Sequence, residues 1–121
     1  MREHDSRLVE DVAMTATITS AALSLRHVDK AALQCSWPAT GTPIGTLTLQ
    51  GSCDPGHDGQ QKPVPANWST IDGTSVAVTG AAGDMLYNIQ NPGYKWLRLV
   101  YTRTSGGTGA VLNVYANVKG P

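Results

Sequence analysis

The stretch KWLRLVYTRTSGGTGAVLNVYANV, residues 95–118, decides the fold class of this chain. In its first half every second residue is apolar, namely Leu97, Leu99 and Tyr101. In its second half the same alternation runs through Leu112, Val114, Ala116 and Val118. Successive side chains of a strand point to opposite faces, so both halves predict strands with one buried face, as in an antiparallel sheet. The glycines of SGGTG between them supply positive φ and predict a hairpin.

The same pattern extends over the chain from residue 15 onward. Short segments rich in Thr, Val, Leu and Tyr alternate with turn residues; the segments are TATITS, ALSLRHV, AALQCSW, IGTLTLQGSC, TSVAVTG and MLYNIQ. Short strands at this spacing are typical of a β-sandwich or barrel. We therefore predict an all-β fold, an antiparallel β-sandwich over residues 15–121. Jelly-roll and simpler Greek-key strand orders fit the pattern equally.

Residues 1–14, MREHDSRLVEDVAM, show no strand period and predict an extended N-terminal arm. Leu8, Val9 and Val12 form a short apolar stripe at helical spacing, which would suffice to dock on a neighbouring subunit but not to fold alone. The alternative is a frayed terminus of the kind most chains have.

Charge and hydropathy exclude several classes of function. Nine basic and nine acidic residues cancel, whereas a nucleic-acid binder carries a basic surface. No stretch approaches the roughly 20 apolar residues that span a bilayer, and the N-terminus lacks a signal-peptide apolar region. We therefore expect a protein that folds in a cytoplasm and binds neither nucleic acid nor membrane. Near-zero net charge favours association, so we also expect a homo-oligomer.

No catalytic or cofactor motif stands out, and we expect a protein that is not an enzyme and has no cofactor. The segment Cys53–Asp58 mixes sulfur, imidazole and carboxylate, but it lacks the paired spacing of a zinc site and is interpreted as a surface turn, so we expect no metal. Cys35 and Cys53 are expected to be free thiols in a reducing compartment; a disulfide between neighbouring strands is the alternative.

The tryptophans bear on a possible sugar-binding role. Trp37 and Trp68 are expected to cap the core, because a chain without phenylalanine needs bulky residues inside. Trp96 alternates onto the polar face beside Arg98, where it either stacks on that guanidinium or is buried in an interface.

Three elements in order resemble small virion proteins of tailed bacteriophages: SWPATGTPIGTLTLQGSCDP (36–55), NWSTI (67–71) and YKWLRLVYTRTSGGTGAVLNVYANVKG (94–120). The opening fourteen residues also resemble the N-terminal arm of such proteins. The sequence departs from the pattern at Cys53, where asparagine is more usual, and by one extra glycine in SGGTG.

The resemblance implies a β-sandwich on the virus particle, assembled in the host cytoplasm. A capsid decoration (cement) protein that contacts the major capsid protein or other virion proteins fits a short chain without fibre-like repeats. The alternative is a tail or fibre module that binds a host-surface glycan or receptor. The expected interface residues are Arg7, Leu8, Val9, Val12, Trp96, Arg98 and Tyr115. For Trp96, Arg98 and Tyr115, an ordinary solvated sheet face is an equal alternative.

Overall fold

The computed structural model describes residues 2–25, 29–53, 67–90 and 93–120, without the side chains of 2–6 and 120. The strands are β1 (Arg2–Ala13), β2 (Ile18–Thr19), β3 (Leu23–Ser24), β4 (Lys30–Trp37), β5 (Ile44–Ser52), β6 (Ser69–Thr70), β7 (Val76–Thr79), β8 (Gly83–Gln90), β9 (Trp96–Ser105) and β10 (Val111–Gly120). All their pairings are antiparallel. The predicted all-β class is confirmed. Across the described ranges, the chain has no helix of the length and apolarity needed to cross a membrane.

The strand order is that of a jelly roll. Strand β1 pairs with β10, β2 and β3 with β9, β4 with β8, and β5 with β6 and β7, so the chain forms one long antiparallel ribbon. The ribbon is rolled up, and the pairs β10–β4 and β9–β5 close it into two sheets. Sheet A has the order β1-β10-β4-β8, and sheet B has β2/β3-β9-β5-β6/β7. Of the two strand orders left open by the sequence, the jelly roll is the one observed.

The core lies between the two sheets and follows the predicted alternation. From sheet B, Leu97, Leu99 and Tyr101 are fully buried; from sheet A, Leu33, Cys35, Leu112 and Val114 meet them. Trp37 closes β4 on the same buried face, and its indole N–H donates to the Ala81 carbonyl at 3.0 Å. Its predicted place as a core cap is confirmed.

The predicted hairpin between the last two strands is wrong. Strand β9 belongs to sheet B and β10 to sheet A, so SGGTG carries the chain across the sandwich as an arch. Gly106, Gly107 and Gly109 do have positive φ, and the Gly107 N–H donates to the Gly41 carbonyl at 2.9 Å. Glycines allow either connection, so the loop alone does not decide between them. In the arch, the apolar faces of β9 and β10 lie on opposite sides of the core.

The interpretation of Leu8, Val9 and Val12 as a helical stripe is also wrong, and so is the alternative of a frayed terminus. Residues 2–13 form β1, an edge strand of sheet A paired with β10. Two irregularities in the register explain the missing strand period: Val9 lies opposite Val114, but Val12 lies opposite Leu112, so three steps on β1 match two on β10. Such a bulge shifts the phase of the alternation and gives apolar residues a helix-like spacing.

Candidate interaction surface

A row of side chains crosses all four strands on the outer face of sheet A. Leu86 of β8 lies opposite Gln34 of β4, Gln34 opposite Tyr115 of β10, and Tyr115 opposite Arg7 of β1. We call these four residues the crossing row. Leu86 is 63% exposed and Tyr115 44% exposed, so an aliphatic and an aromatic side chain reach solvent on one face.

The β1 end of the crossing row is held by a hydrogen-bond network. One terminal nitrogen of Arg7 donates to the Asn113 side-chain oxygen at 2.7 Å and lies 3.4 Å from the Tyr115 hydroxyl, while the other pairs with Glu10 at 3.1 Å. The Arg7 guanidinium carbon lies 5.0 Å from the centroid of the Tyr115 ring, within cation–π range. Asn113 also accepts from the Asp11 N–H at 3.0 Å and donates to the Asp11 carboxylate at 3.1 Å.

This network has a structural consequence at the bulge. Asp11 has a φ of +48°, a left-handed conformation that a non-glycine residue adopts only with support, and Asn113 supplies that support by bonding both its backbone and its side chain. Asn113 also fixes Arg7, whose guanidinium lies against the Tyr115 ring, so this ring is held before any partner arrives. A preorganised aromatic loses less conformational freedom on binding.

An open depression of about 620 Å³ lies along the crossing row, with Ala32 and Asn117 completing its floor. Charge is distributed unevenly around it. Lys30 and Lys119 lie directly opposite each other towards one end of the strands, and Asp84, which accepts from Gln34 at 3.2 Å, lies towards the other. Tyr and Arg are residue types enriched in protein interfaces, and Leu86 adds exposed apolar area to the same face.

The outer face of sheet B carries a second cluster, built differently from the one predicted. The Arg98 guanidinium lies over the Trp68 ring at 4.2 Å, and its Nε donates to Gln50 at 2.8 Å. Stacking of Arg98 on Trp96 is therefore wrong, and Trp68 is a half-buried residue under Arg98 and not a core cap. Trp96 is half-buried between Ser24 and Ser52 on the neighbouring strands.

The structure separates the residues predicted for one interface. Arg7 and Tyr115 lie on the outer face of sheet A, whereas Trp96 and Arg98 lie on the outer face of sheet B. A single contact cannot use both pairs. The other three predicted interface residues lie on β1. Leu8 packs partly against the core, Val12 is 40% exposed, and Val9 is 3% exposed. Val9 belongs to the core of its own chain and is not available to a partner.

Sequence reasoning missed Leu86 and Gln34, the two members of the crossing row on β8 and β4. A signal for Leu86 was present: in the segment MLYNIQ, Met85, Tyr87 and Ile89 share the inner face, which leaves Leu86 as the apolar residue on the outer face. An isolated exposed leucine is unremarkable, and only its position beside Tyr115 across β4 gives it weight.

The described residues offer little reactive chemistry. Cys35 and Cys53 are free thiols; Cys53 is exposed, and burial, followed by the nearby Asp84 carboxylate, raises the pKa of Cys35 to about 12, which keeps it protonated and unreactive. Within ranges 2–25, 29–53, 67–90 and 93–120, no group of three metal-ligating side chains forms. Residues 54–58 of the Cys53–Asp58 segment, which the sequence predicts to be a surface turn without metal, lie outside the described residues.

Comparisons with known proteins support the fold. No family model matches the chain, and a search of curated proteins gives no significant match. The structure is similar to SPBc2 prophage-derived protein YomS, with 9% identity, a TM-score of 0.55, and coverage of 98% of this chain and 95% of that one. It is also similar to part of the structure of infectious bursal disease virus Gx strain, with 12% identity, a TM-score of 0.51, and coverage of 98% and 32%. The coat protein of Tobacco streak virus gives 9% identity, a TM-score of 0.48, and coverage of 98% and 86%. At these identities the likeness to the first two structures shows a shared fold.

Proposed function

We propose that this protein is a structural component of a virus particle, and more narrowly that it is a capsid decoration (cement) protein. It would act through contacts with the major capsid protein or with other virion proteins and would not be an enzyme. The observation that carries the proposal is the outer face of sheet A, where the crossing row places Leu86 and Tyr115 in solvent on a four-stranded sheet.

The surface suits adhesion better than recognition of a small molecule. Its depression is open and is floored by strand side chains, so a ligand would remain largely in solvent, whereas small-molecule sites enclose most of their ligand. Tyr115 is held by Arg7, and Leu86 is two strands away, so a flat partner can contact both at once. A modest contact of this kind becomes strong when many copies bind one lattice and neighbouring contacts are made together.

The fold comparison supports the proposal by analogy. A jelly roll that spans 98% of this chain is shared with a prophage-derived protein and with part of a virus structure. Jelly rolls occur both in viral capsids and in lectins, so the fold alone leaves the glycan-binding alternative open.

The tryptophans weigh against that glycan-binding module. Such modules stack sugars on exposed indole faces. Trp37 is buried, one face of Trp68 lies under Arg98, and Trp96 is half-buried. The burial of Trp37, the guanidinium on Trp68 and the half-burial of Trp96 all reduce the indole surface that a sugar could stack on, which favours the decoration role over glycan binding.

The test is co-sedimentation of the purified protein with particles that lack it. We expect binding in a fixed ratio to capsid subunits. Tyr115→Ala should weaken binding at least ten-fold, because aromatic anchors at the centre of interfaces typically contribute about 2 kcal/mol or more.

The matched control is Thr102→Ala, an exposed strand residue on the outer face of sheet B. It should bind like the unchanged protein. Equal losses for both variants would show that the outer face of sheet A is not the contact. Absence of binding by the unchanged protein would refute the decoration role, and a glycan array would then test the alternative.

A further inference from the structure

The two sheets have four edges, and three of them are protected against pairing with another chain. Strand β1 is bulged twice and carries charged residues along its length, both of which discourage a neighbouring strand. In sheet B one edge consists of β2 and β3, of two residues each, and the other of β6 and β7, of two and four residues. Edges that short offer few backbone groups to a partner.

Strand β8 lacks these protections. It runs for eight residues, GDMLYNIQ, and pairs with β4 in unbroken register from Gly83 to Gln90. Among the described residues, no strand pairs with its other side. It contains neither Lys nor Pro, and Asp84 is its only residue that is charged at neutral pH. Leu86, at its centre, is the most exposed large hydrophobic side chain of the described residues. A long, regular and nearly uncharged edge with an exposed leucine is a template for strand addition.

We propose that β8 of one molecule pairs antiparallel with β8 of a second copy about a two-fold axis, with Leu86 opposite Leu86. In this register Asp84 faces Asn88 of the second copy, so the one carboxylate of the edge meets an amide and not another carboxylate. Met85 faces Tyr87, which joins apolar side chains on the inner face. Leu86 packs beside its own counterpart, because directly opposed side chains in antiparallel strands lie about 4.5–5.5 Å apart between Cβ atoms, and both leucines stay on the outer face.

The pairing explains how an unprotected edge avoids open-ended aggregation. A two-fold contact uses the same strand on both molecules, so each β8 edge is occupied by one partner and assembly through this edge ends at the dimer. The four strands of sheet A from each copy then form one continuous sheet, and the two crossing rows lie on the same outer face. The formal net charge of zero leaves no net repulsion between the copies. This inference concerns self-association in solution and does not depend on the proposed function.

The first experiment is sedimentation velocity over a range of protein concentrations. We expect a monomer–dimer equilibrium. Leu86→Lys should raise the dimer dissociation constant at least ten-fold, because two like charges would meet on the axis. Val12→Lys is the matched control, since Val12 is also an exposed apolar residue but lies on β1; it should leave the constant unchanged. A monomer at all concentrations, a persistent Leu86→Lys dimer, or equal losses in both variants would each overturn the proposal.

The second experiment tests the register. In a Cys53→Ser background, which removes the exposed thiol, Leu86→Cys should form a disulfide-linked dimer under mild oxidation. Asn88→Cys should not, because the two copies of residue 88 are displaced by four positions along the strands. Cross-linking of Asn88→Cys as efficient as that of Leu86→Cys would overturn the register. Unchanged circular dichroism and melting temperature of each variant show that a lost dimer is not a lost fold.

Discussion

Replacement of Gly83 by alanine tests whether the packing at the start of β8 is as tight as the structure indicates. Gly83 lies directly opposite Trp37 in the β4–β8 pair. A Cβ atom at this position would collide with the indole ring, and even the Cη2 atom would lie at only 2.9 Å. Gly83 does not have a positive φ, so the expected strain is entirely steric.

The expected loss of stability depends on the movement of the Trp37 indole and on the loss of its hydrogen bond. Trp37 is 9% exposed and is held by its hydrogen bond to the Ala81 carbonyl, so the rigid ring must move as a unit. Overpacking of a core costs about 1–3 kcal/mol, and loss of one hydrogen bond costs about 0.5–1.5 kcal/mol. The lower entropy of the unfolded alanine variant offsets about 0.4–1 kcal/mol. The midpoints of these ranges combine to a net loss of about 2 kcal/mol in the free energy of unfolding, or about 8 °C in melting temperature.

The assay is urea unfolding of four proteins: the unchanged chain, Gly83→Ala, Trp37→Leu and the double variant. Because the leucine side chain no longer occupies the space of the indole, Gly83→Ala should cost less than about 0.5 kcal/mol in that background. Gly93→Ala is the control for the general effect of the substitution. A Cβ at Gly93 would meet no atom within 4 Å, so this variant should be as stable as the unchanged protein or more stable by up to about 1 kcal/mol.

Two outcomes would refute this reasoning. If Gly83→Ala is as stable as Gly93→Ala, the indole does not occupy the space that the structure assigns to it. If the loss is the same with and without Trp37, the collision is with something else, and the coupling between the two residues is absent.

Three further predictions concern the core. Burial raises the pKa of Cys35 to about 12 from an ordinary value of 9.0. As the pH rises, the thiol is therefore deprotonated in the unfolded chain before it is in the folded one, and the free energy of unfolding should fall between pH 9.0 and about pH 12. Cys35→Ala should reduce the slope of unfolding free energy against pH by about 1.4 kcal/mol per unit, and an unchanged slope would contradict this. Val9→Asp should lower the free energy of unfolding by about 3–5 kcal/mol, because it buries an unpaired charge. Val12→Asp is the exposed control and should change it by less than about 0.5 kcal/mol. Equal melting temperatures for the two variants would show that β1 is not packed on the sandwich. The Tyr101 hydroxyl is buried without a hydrogen-bond partner in the described part of the chain. Tyr101→Phe should therefore leave the free energy of unfolding unchanged or raise it by about 1 kcal/mol. A clear loss of stability in chemical denaturation would show that the hydroxyl does form a hydrogen bond.

The correction at β1 changes how an assembly role can be tested. Removal of the first fourteen residues would be a clean experiment on a separate arm. In this structure it would also remove Val9 and Met14 from the core and leave β10 as an unprotected edge. Loss of particle binding after such a truncation would not distinguish a missing contact from a damaged sandwich, so single substitutions on the outer face of sheet A are the better test.

Local pattern determined much of this protein. The alternation in residues 95–103 and 111–118 correctly gave two strands and their buried faces, and Ala31, Leu33, Cys35 and Trp37 follow the same rule. This worked because a strand with one buried face needs an apolar residue at every second position, whatever strand lies beside it. The positive φ of the SGGTG glycines was also readable, since it depends on the backbone of those residues alone.

Only the tertiary structure decided what those elements lie against. Glycines permit both a hairpin and an arch, so the crossing of β9 and β10 between sheets was not encoded in the loop. Bulges depend on the partner strand, so β1 was hidden until β10 lay beside it. The crossing row joins residues as far apart in the chain as positions 7 and 115. The Arg98 guanidinium stacks on Trp68, which is 30 residues away, and not on its near neighbour Trp96. Alternation along a strand is a property of neighbouring residues, whereas register, sheet membership and surface composition depend on contacts between distant ones.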